Sequence, residues 1–132
     1  MKAGTRGVMI SFAKNSIMSE DSKSGRHSFI QLNIALDANH IPENIQWEAS
    51  DDGQGLHDAK AMLLGLWDTK QSNGISIDLW TKEMTIPEMH IFFYQSLLSM
   101  SDTIVRATQE PELGEMFRNF ATSFMKKVNT ST

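Results

Sequence analysis

The spacing of apolar residues changes once along this chain, from every second residue to helical spacing, and that change constrains the fold most. Apolar and polar residues alternate in three segments of the first half: Ile30 to Leu36, Ile45 to Ala49, and Ile75 to Trp80. A period of two is typical of a half-buried β-strand. The segment Asp37 to Pro42 has turn-forming residues, so the first two strands are predicted to form a hairpin.

The second half of the chain has helical periodicity. Thr85 and Glu88 form a capping-box sequence, with Pro87 in the first turn, where its missing N–H costs nothing. The pair Glu110-Pro111 ends this helix, because a residue before proline is disfavoured in the helical conformation. A final helix then carries an apolar face made of Leu113, Met116, Phe117, Phe120, Ala121, Phe124, Met125 and Val128.

These patterns predict an α+β fold, in which a small antiparallel sheet of three or four strands packs against a C-terminal helical hairpin. One segment is ambiguous. Between Leu56 and Asp68 the apolar spacing fits a helix, and no residue is β-branched, which slightly favours a helix. The run from Ala61 to Trp67 is continuously apolar, however, which also suits a buried strand paired with the segment that follows.

The length of 132 residues suggests one domain, which we place at residues 28–128. Residues 1–27 are interpreted as a disordered or mis-assigned lead-in and residues 129–132 as a disordered tail. Met1 to Ile17 contain three basic residues and no acid, and their apolar run is too short for a signal peptide. Because Met18 begins an ordinary polar segment, we expect it to be the true start.

Composition excludes several kinds of function. With no cysteine there are no disulfides, thiol catalysis or iron–sulfur clusters. A net charge of −4 argues against nucleic acid as a partner, and no stretch reaches the ~20 apolar residues that a membrane span needs. We found no catalytic or phosphate-binding motif. The acidic stretch around Asp51, Asp52, His57 and Asp58 lacks the spacing of a calcium loop, so no metal, cofactor or catalytic residue is assigned.

Trp80 is the most informative candidate for an interaction surface. It projects from its strand opposite to Ile77 and Leu79, towards the side where a one-sided sheet meets water. Tryptophan is enriched at the energetic centres of protein interfaces. The alternative is that another segment covers it, for example residues 56–68 with Trp67. The candidate surface comprises Trp80, Asp78, Lys82 and Trp67. We interpret the nine methionines mainly as core-filling residues.

Several strings of the sequence resemble the gliding motility-associated GldC family. They are Leu36-Asp37, Ile41 to Asp51, Lys60 to Asp68, Ile77 to Met84, and a helical segment from Glu88 to Thr108. The most specific is Ile77-Asp78-Leu79-Trp80-Thr81-Lys82-Glu83-Met84, and the similarity extends over Ile34 to Lys127. The resemblance implies a small soluble cytoplasmic protein of bacterial gliding, whose machinery overlaps a protein-secretion system. It implies no catalytic residue.

Three functions follow as hypotheses. The first is a non-enzymatic accessory protein that binds a protein component of the gliding or secretion machinery. The second is a small acidic chaperone for secreted cargo, for which long amphipathic helices suit a homodimer that presents a groove to extended peptides. The third is a small-ligand binder or enzyme with a pocket between helices and sheet, using His90, Tyr94 or Asp78.

Overall fold

The computed structural model describes residues 10–11 and 26–131. Most of the predicted lead-in, and with it the expected start at Met18, therefore lies outside the described residues. The chain divides between Met84 and Thr85 into two compact units. The described residues of the first unit form six strands: β1 (Ile10–Ser11), β2 (Ile30–Leu36), β3 (Pro42–Ala49), β4 (His57–Ala59), β5 (Ala61–Asp68) and β6 (Asn73–Trp80). The second contains α1 (Ile86–Thr108) and α2 (Pro111–Thr130). The α+β class and the helical hairpin are confirmed.

Strands β1 to β4 form an antiparallel sheet in sequence order. The predicted hairpin of β2 and β3 is present, with Ile34 paired to Ile45 and Leu32 paired to Trp47. Ile45 is completely buried and pairs on its other side with Ala59 of β4. The alternating pattern therefore directs one apolar row of this sheet into the core of the first unit.

The turn between β2 and β3 is organised by the carboxylate of Asp37. Its Oδ1 accepts hydrogen bonds from the backbone N–H groups of Asn39, at 2.7 Å, and of Ile41, at 3.0 Å. Its Oδ2 lies 3.5 Å from Nζ of Lys82. The hydrogen bond from the Ile41 N–H, that from Asn39, and the nearby Lys82 ammonium hold the pKa of Asp37 below its usual 3.8.

We expect this turn to make the first unit sensitive to acid. A carboxyl whose pKa is lowered by folding stabilises the fold above its unfolded pKa, and that contribution is lost as the pH falls through the lower folded value. Carboxyl-carbon NMR titration should therefore give Asp37 a midpoint below 3.8. The Asp37→Ala variant should be less stable at pH 7, and its stability should fall less than that of the unchanged protein between pH 5 and pH 2. A normal midpoint for Asp37 would contradict this account.

The segment 56–68 is strand rather than helix, so the slight preference for a helix was wrong. β5 pairs antiparallel with β6 along its whole length, from Ala61 opposite Trp80 to Asp68 opposite Asn73. The chain reverses through a short turn in which Asp68 accepts a hydrogen bond from the N–H of Gln71 at 2.6 Å. The cross-strand pairing gives the continuous apolar run a partner, and such tertiary context overrides the weak helical propensity.

The strands form two sheets where a single sheet was expected, and the division falls at Lys60, between β4 and β5. β4 pairs with β3, whereas β5 pairs with β6 and forms a separate two-stranded ribbon. The carbonyl of Lys60 accepts the backbone N–H of Thr81 at 2.8 Å, and Thr81 is buried. This bond extends the pairing of β5 with β6 by one position.

The helical unit begins and turns as the sequence indicates. Thr85 Oγ1 accepts the N–H of Glu88 at 3.2 Å, and the N–H of Thr85 donates to Glu88 Oε2 at 3.0 Å, which completes the capping box. α1 ends in Gln109, which adopts a left-handed conformation, and Pro111 starts α2. α2 continues to Thr130, so residues 129 and 130 of the predicted disordered tail are helical.

The two helices pack most closely where two small residues meet. Ser101 Oγ donates a hydrogen bond of 2.7 Å to the carbonyl of Gly114, and both residues are buried. At the other end of the hairpin the ring of His90 packs edge-on against Phe124, with centroids 6.4 Å apart. Neither helix of the described chain has an apolar stretch long enough to traverse a bilayer.

Candidate functional site

Three of the four predicted surface residues share one face of the β5–β6 ribbon. The register places Trp67, Asp78 and Trp80 on the same side, because residues of β5 with odd numbers face the same way as residues of β6 with even numbers. Leu63 lies opposite Asp78 on this face and is also exposed. We call these four residues, Leu63, Trp67, Asp78 and Trp80, the tryptophan face.

The two tryptophans of this face have different environments. Trp67 is 70% exposed, near the turn of the ribbon. Trp80 is half-buried, and its indole Nε1 is buried with no hydrogen-bond partner among the described residues. Six residues separate their cross-strand positions, so they lie about 20 Å apart along the strands. Trp67 therefore does not cover Trp80 as the sequence suggested, and it offers the larger accessible surface.

Lys82, the fourth predicted residue, lies beyond the end of β6 and outside the tryptophan face. Its ammonium pairs with Asp37 in the β2–β3 turn, while the side chain remains largely exposed. An exposed pair of this kind contributes little to stability. Lys82 therefore contacts the β2–β3 turn and does not contribute to the tryptophan face.

A second apolar surface, which was not predicted, lies on the helical hairpin. Besides Ile91, which lies on the opposite side of α1, five large side chains there are 42–67% exposed: Ile86, Phe93 and Met100 of α1, and Met116 and Phe120 of α2. We call these five residues the open helical face. Met116 and Phe120 belong to the apolar face predicted for the last helix, and the methionines were interpreted mainly as core-filling, yet the structure leaves all five side chains accessible. The sequence does contain a sign of this surface. Each helix has more apolar residues than are needed for the single stripe that contacts the other helix.

Two open pockets lie on the described part of the chain. One of about 580 Å³ lies on the helical hairpin beside the ion pair of Arg118 with Asp102, whose Nη2 and Oδ1 atoms are 2.6 Å apart. Another, of about 290 Å³, lies in the first unit and is lined by three carboxylates, those of Glu43, Asp58 and Glu83. Among residues 10–11 and 26–131, no three acidic or histidine side chains are grouped so that they could hold a metal ion.

The histidines considered above have structural contacts. His57 stacks on Trp47 with centroids 4.4 Å apart, and its Nε2 lies 3.2 Å from Oδ2 of Asp52. His90 contributes to the packing of α1 on α2. His90 and Tyr94 belong to the helical unit and Asp78 to the strand unit.

Comparison with known proteins adds the decisive observation. A family model described as gliding motility-associated protein GldC-like matches residues 42–130, more than half of the chain. The chain belongs to the GldC-like family. No curated protein and no solved structure matches the chain.

Membership of the GldC-like family confirms the resemblance found in the sequence and associates the chain with gliding motility. The matched region runs from the start of β3 to the end of α2, and it includes the whole tryptophan face and the whole open helical face. The GldC-like family is not a known family of enzymes. Both surfaces are thus parts of the GldC-like region itself.

Proposed function

We propose that this GldC-like chain is a non-enzymatic accessory protein of bacterial gliding motility. It acts in the cytoplasm by binding a protein component of the gliding or secretion machinery through the tryptophan face. The assignment to gliding rests on membership of the family. The choice of the tryptophan face as the binding surface rests on the exposure of Trp67.

The chemistry of the tryptophan face suits a protein partner. Trp67 offers a large, stiff apolar side chain with an N–H donor, the combination that dominates many protein interfaces. Asp78 and Ser76, both exposed, supply polar groups beside it on the same face. An apolar anchor with a polar surround is the usual composition of a protein interface and gives no support to nucleic acid as the ligand.

Photocrosslinking in gliding cells tests this proposal. A photoreactive amino acid at Ser76 places the probe on the tryptophan face, whereas the same probe at Ile75, the adjacent exposed position, points to the opposite face. We expect the Ser76 probe to capture one component of the gliding or secretion machinery and the Ile75 probe to capture none. Capture of many unrelated secreted proteins at Ser76 would instead favour the chaperone hypothesis.

The Trp67→Ala variant is the quantitative test. We expect it to lower affinity for the captured component at least about tenfold, because truncating an anchoring tryptophan costs about 2 kcal/mol or more and each 1.4 kcal/mol is a factor of ten. The matched control is Leu66→Ala, since Leu66 is the exposed neighbour on the other face of β5. Equal affinities of the Trp67→Ala variant and the unchanged protein would contradict the proposed surface.

A further inference from the structure

The open helical face is a single continuous surface, although its residues come from two helices. At about 100° per residue, the exposed residues of α1 lie about a quarter-turn from its contact side, which includes His90 and Ser101. The exposed residues of α2 also lie about a quarter-turn from the side of α2 that contacts α1. When each helix is viewed from its N-terminus, the turn from the contact side to the exposed residues has the same sense in both helices. Because the helices are antiparallel, both sets reach the same side of the hairpin.

The area of this face matches what a stable dimer requires. A large apolar side chain has roughly 150–250 Å² to bury, so five such side chains at 42–67% exposure present about 500 Å². A standard interface buries about 800 Å² on each partner, of which about 65% is apolar in homodimers. That apolar share is also about 500 Å².

The face is also arranged symmetrically along the hairpin. The contacts of His90 with Phe124 and of Ser101 with Gly114 fix the alignment of the helices, and they place Phe93 nearly level with Phe120. On α1, Ile86 and Met100 lie equally far before and after Phe93. A two-fold axis across the helices at this level brings the same face of two copies together with the helix directions reversed, so that Ile86 of one copy lies opposite Met100 of the other, as in an isologous interface.

The charges at the edge of the face satisfy the same symmetry. On α2, Glu112 precedes Met116 by one turn and Lys127 follows Phe120 by two turns, so an acid and a base flank the apolar stretch at opposite ends. A second α2 laid antiparallel across Phe120 brings the Glu112 of each copy beside the Lys127 of the other. Opposite charges then meet at both ends of the interface.

We propose that the open helical face binds a second copy of this chain, with α2 antiparallel to α2 of the partner about a two-fold axis at Phe93 and Phe120. The product is a four-helix arrangement, which is a common way for amphipathic hairpins to cover their apolar sides. This proposal is independent of the tryptophan face, which belongs to the other unit.

Sedimentation equilibrium of the full chain measures its oligomeric state, and the unchanged protein should be a dimer at micromolar concentration. Exchange of two charges tests the proposed pairing of Glu112 with Lys127 of the partner. Glu112→Lys and Lys127→Glu should each raise the dissociation constant roughly three- to tenfold, since every substitution affects two symmetric pairs. The variant that carries both substitutions should recover the original dissociation constant, because opposite charges meet again. If each substitution acts only through the helix dipole, the double variant should instead have a still higher dissociation constant. Glu115→Lys, a charge reversal on the side of α2 turned away from the face, is the control.

A disulfide test locates the axis, because the chain has no cysteine of its own. Phe120→Cys should form a disulfide between two copies on oxidation, and Asn119→Cys, adjacent but turned away from the face, should not. A monomer at about 100 μM would overturn the proposal while leaving the assignment of the tryptophan face intact. A dimer that is cross-linked equally through residue 119, or that is not restored by the double charge exchange, would overturn it too.

Discussion

The Gly114→Val variant is expected to lower the stability of the helical hairpin by about 3 kcal/mol, the upper part of the range for overpacked cores. A Cβ atom at this position would overlap Cγ2 of Val105 and would lie 3.2 Å from both the carbonyl oxygen and the Oγ of Ser101. The carbonyl oxygen of Ser101 belongs to the backbone and cannot move without shifting α1. Forcing the helices apart also breaks the hydrogen bond from Ser101 to the Gly114 carbonyl. Thermal unfolding followed by circular dichroism at 222 nm measures the loss.

Two further comparisons make the interpretation of Gly114→Val specific. Gly65→Ala and Gly74→Ala add a methyl group at positions where no atom lies within 4 Å, so each should change stability by less than about 0.5 kcal/mol. Val105→Ala removes the atom that the new side chain would strike, and in combination with Gly114→Ala it should be more stable than the sum of the single effects predicts. Additive effects of these two changes would mean that Val105 and Gly114 are not in close contact.

The Trp80→Ala variant should have a comparable effect in the strand unit, about 3 kcal/mol and a fall in Tm of roughly 10–20 °C. The cause is loss of the apolar burial of a large half-buried ring. Trp80→Phe should remain within about 1 kcal/mol of the unchanged protein, because it keeps most of the ring and removes an N–H that is buried without a partner. Chemical denaturation of the three proteins gives the comparison.

Trp67→Ala is the matched control for Trp80→Ala. It makes the same substitution on the same face of the ribbon, at a site that is 70% exposed. It should cost less than about 1 kcal/mol. If Trp80→Ala leaves stability unchanged and instead abolishes partner binding, Trp80 is an interface residue. The proposed distinction between the two tryptophans would then be incorrect.

The sequence is most informative where a local rule operates without competition. The alternation from Ile30 to Leu36 predicts β2, and Asp37 predicts the turn that its carboxylate organises. Thr85 and Glu88 predict the start of α1 through hydrogen bonds that involve only neighbouring residues. These elements can be predicted without reference to distant parts of the chain, because the residues that make the capping and turn contacts are at most four positions apart.

The sequence fails where long-range pairing decides the structure. Nothing in the run from Ala61 to Trp67 distinguishes a strand from a helix, and its pairing with β6 settles the matter. The division into two sheets also follows from pairing, since β4 pairs with β3 while β5 pairs with β6 through contacts such as that of Thr81 with Lys60, 21 residues apart. No local pattern signals such a contact.

The candidate surfaces illustrate a different limit. The period of two correctly places Asp78 and Trp80 on one face of β6, and the register adds Trp67 to it. The pattern does not reveal that Trp67 is the accessible tryptophan. Likewise Phe93, Met116 and Phe120 fit an apolar helix face whether that face meets the neighbouring helix or remains open. Periodicity identifies a face but does not identify what covers it.

The contact between Ser101 and Gly114 also bears on the order in which the chain acquires structure. It joins residues only 13 positions apart, next to the turn that connects the helices. The entropy lost in closing so short a loop is small, and contacts of low sequence separation are typical of rapid folding. The contact of Ser101 with Gly114 can therefore form before the most distant strand contacts, such as that of Thr81 with Lys60, 21 residues apart. Formation of the helical hairpin does not have to wait for these contacts.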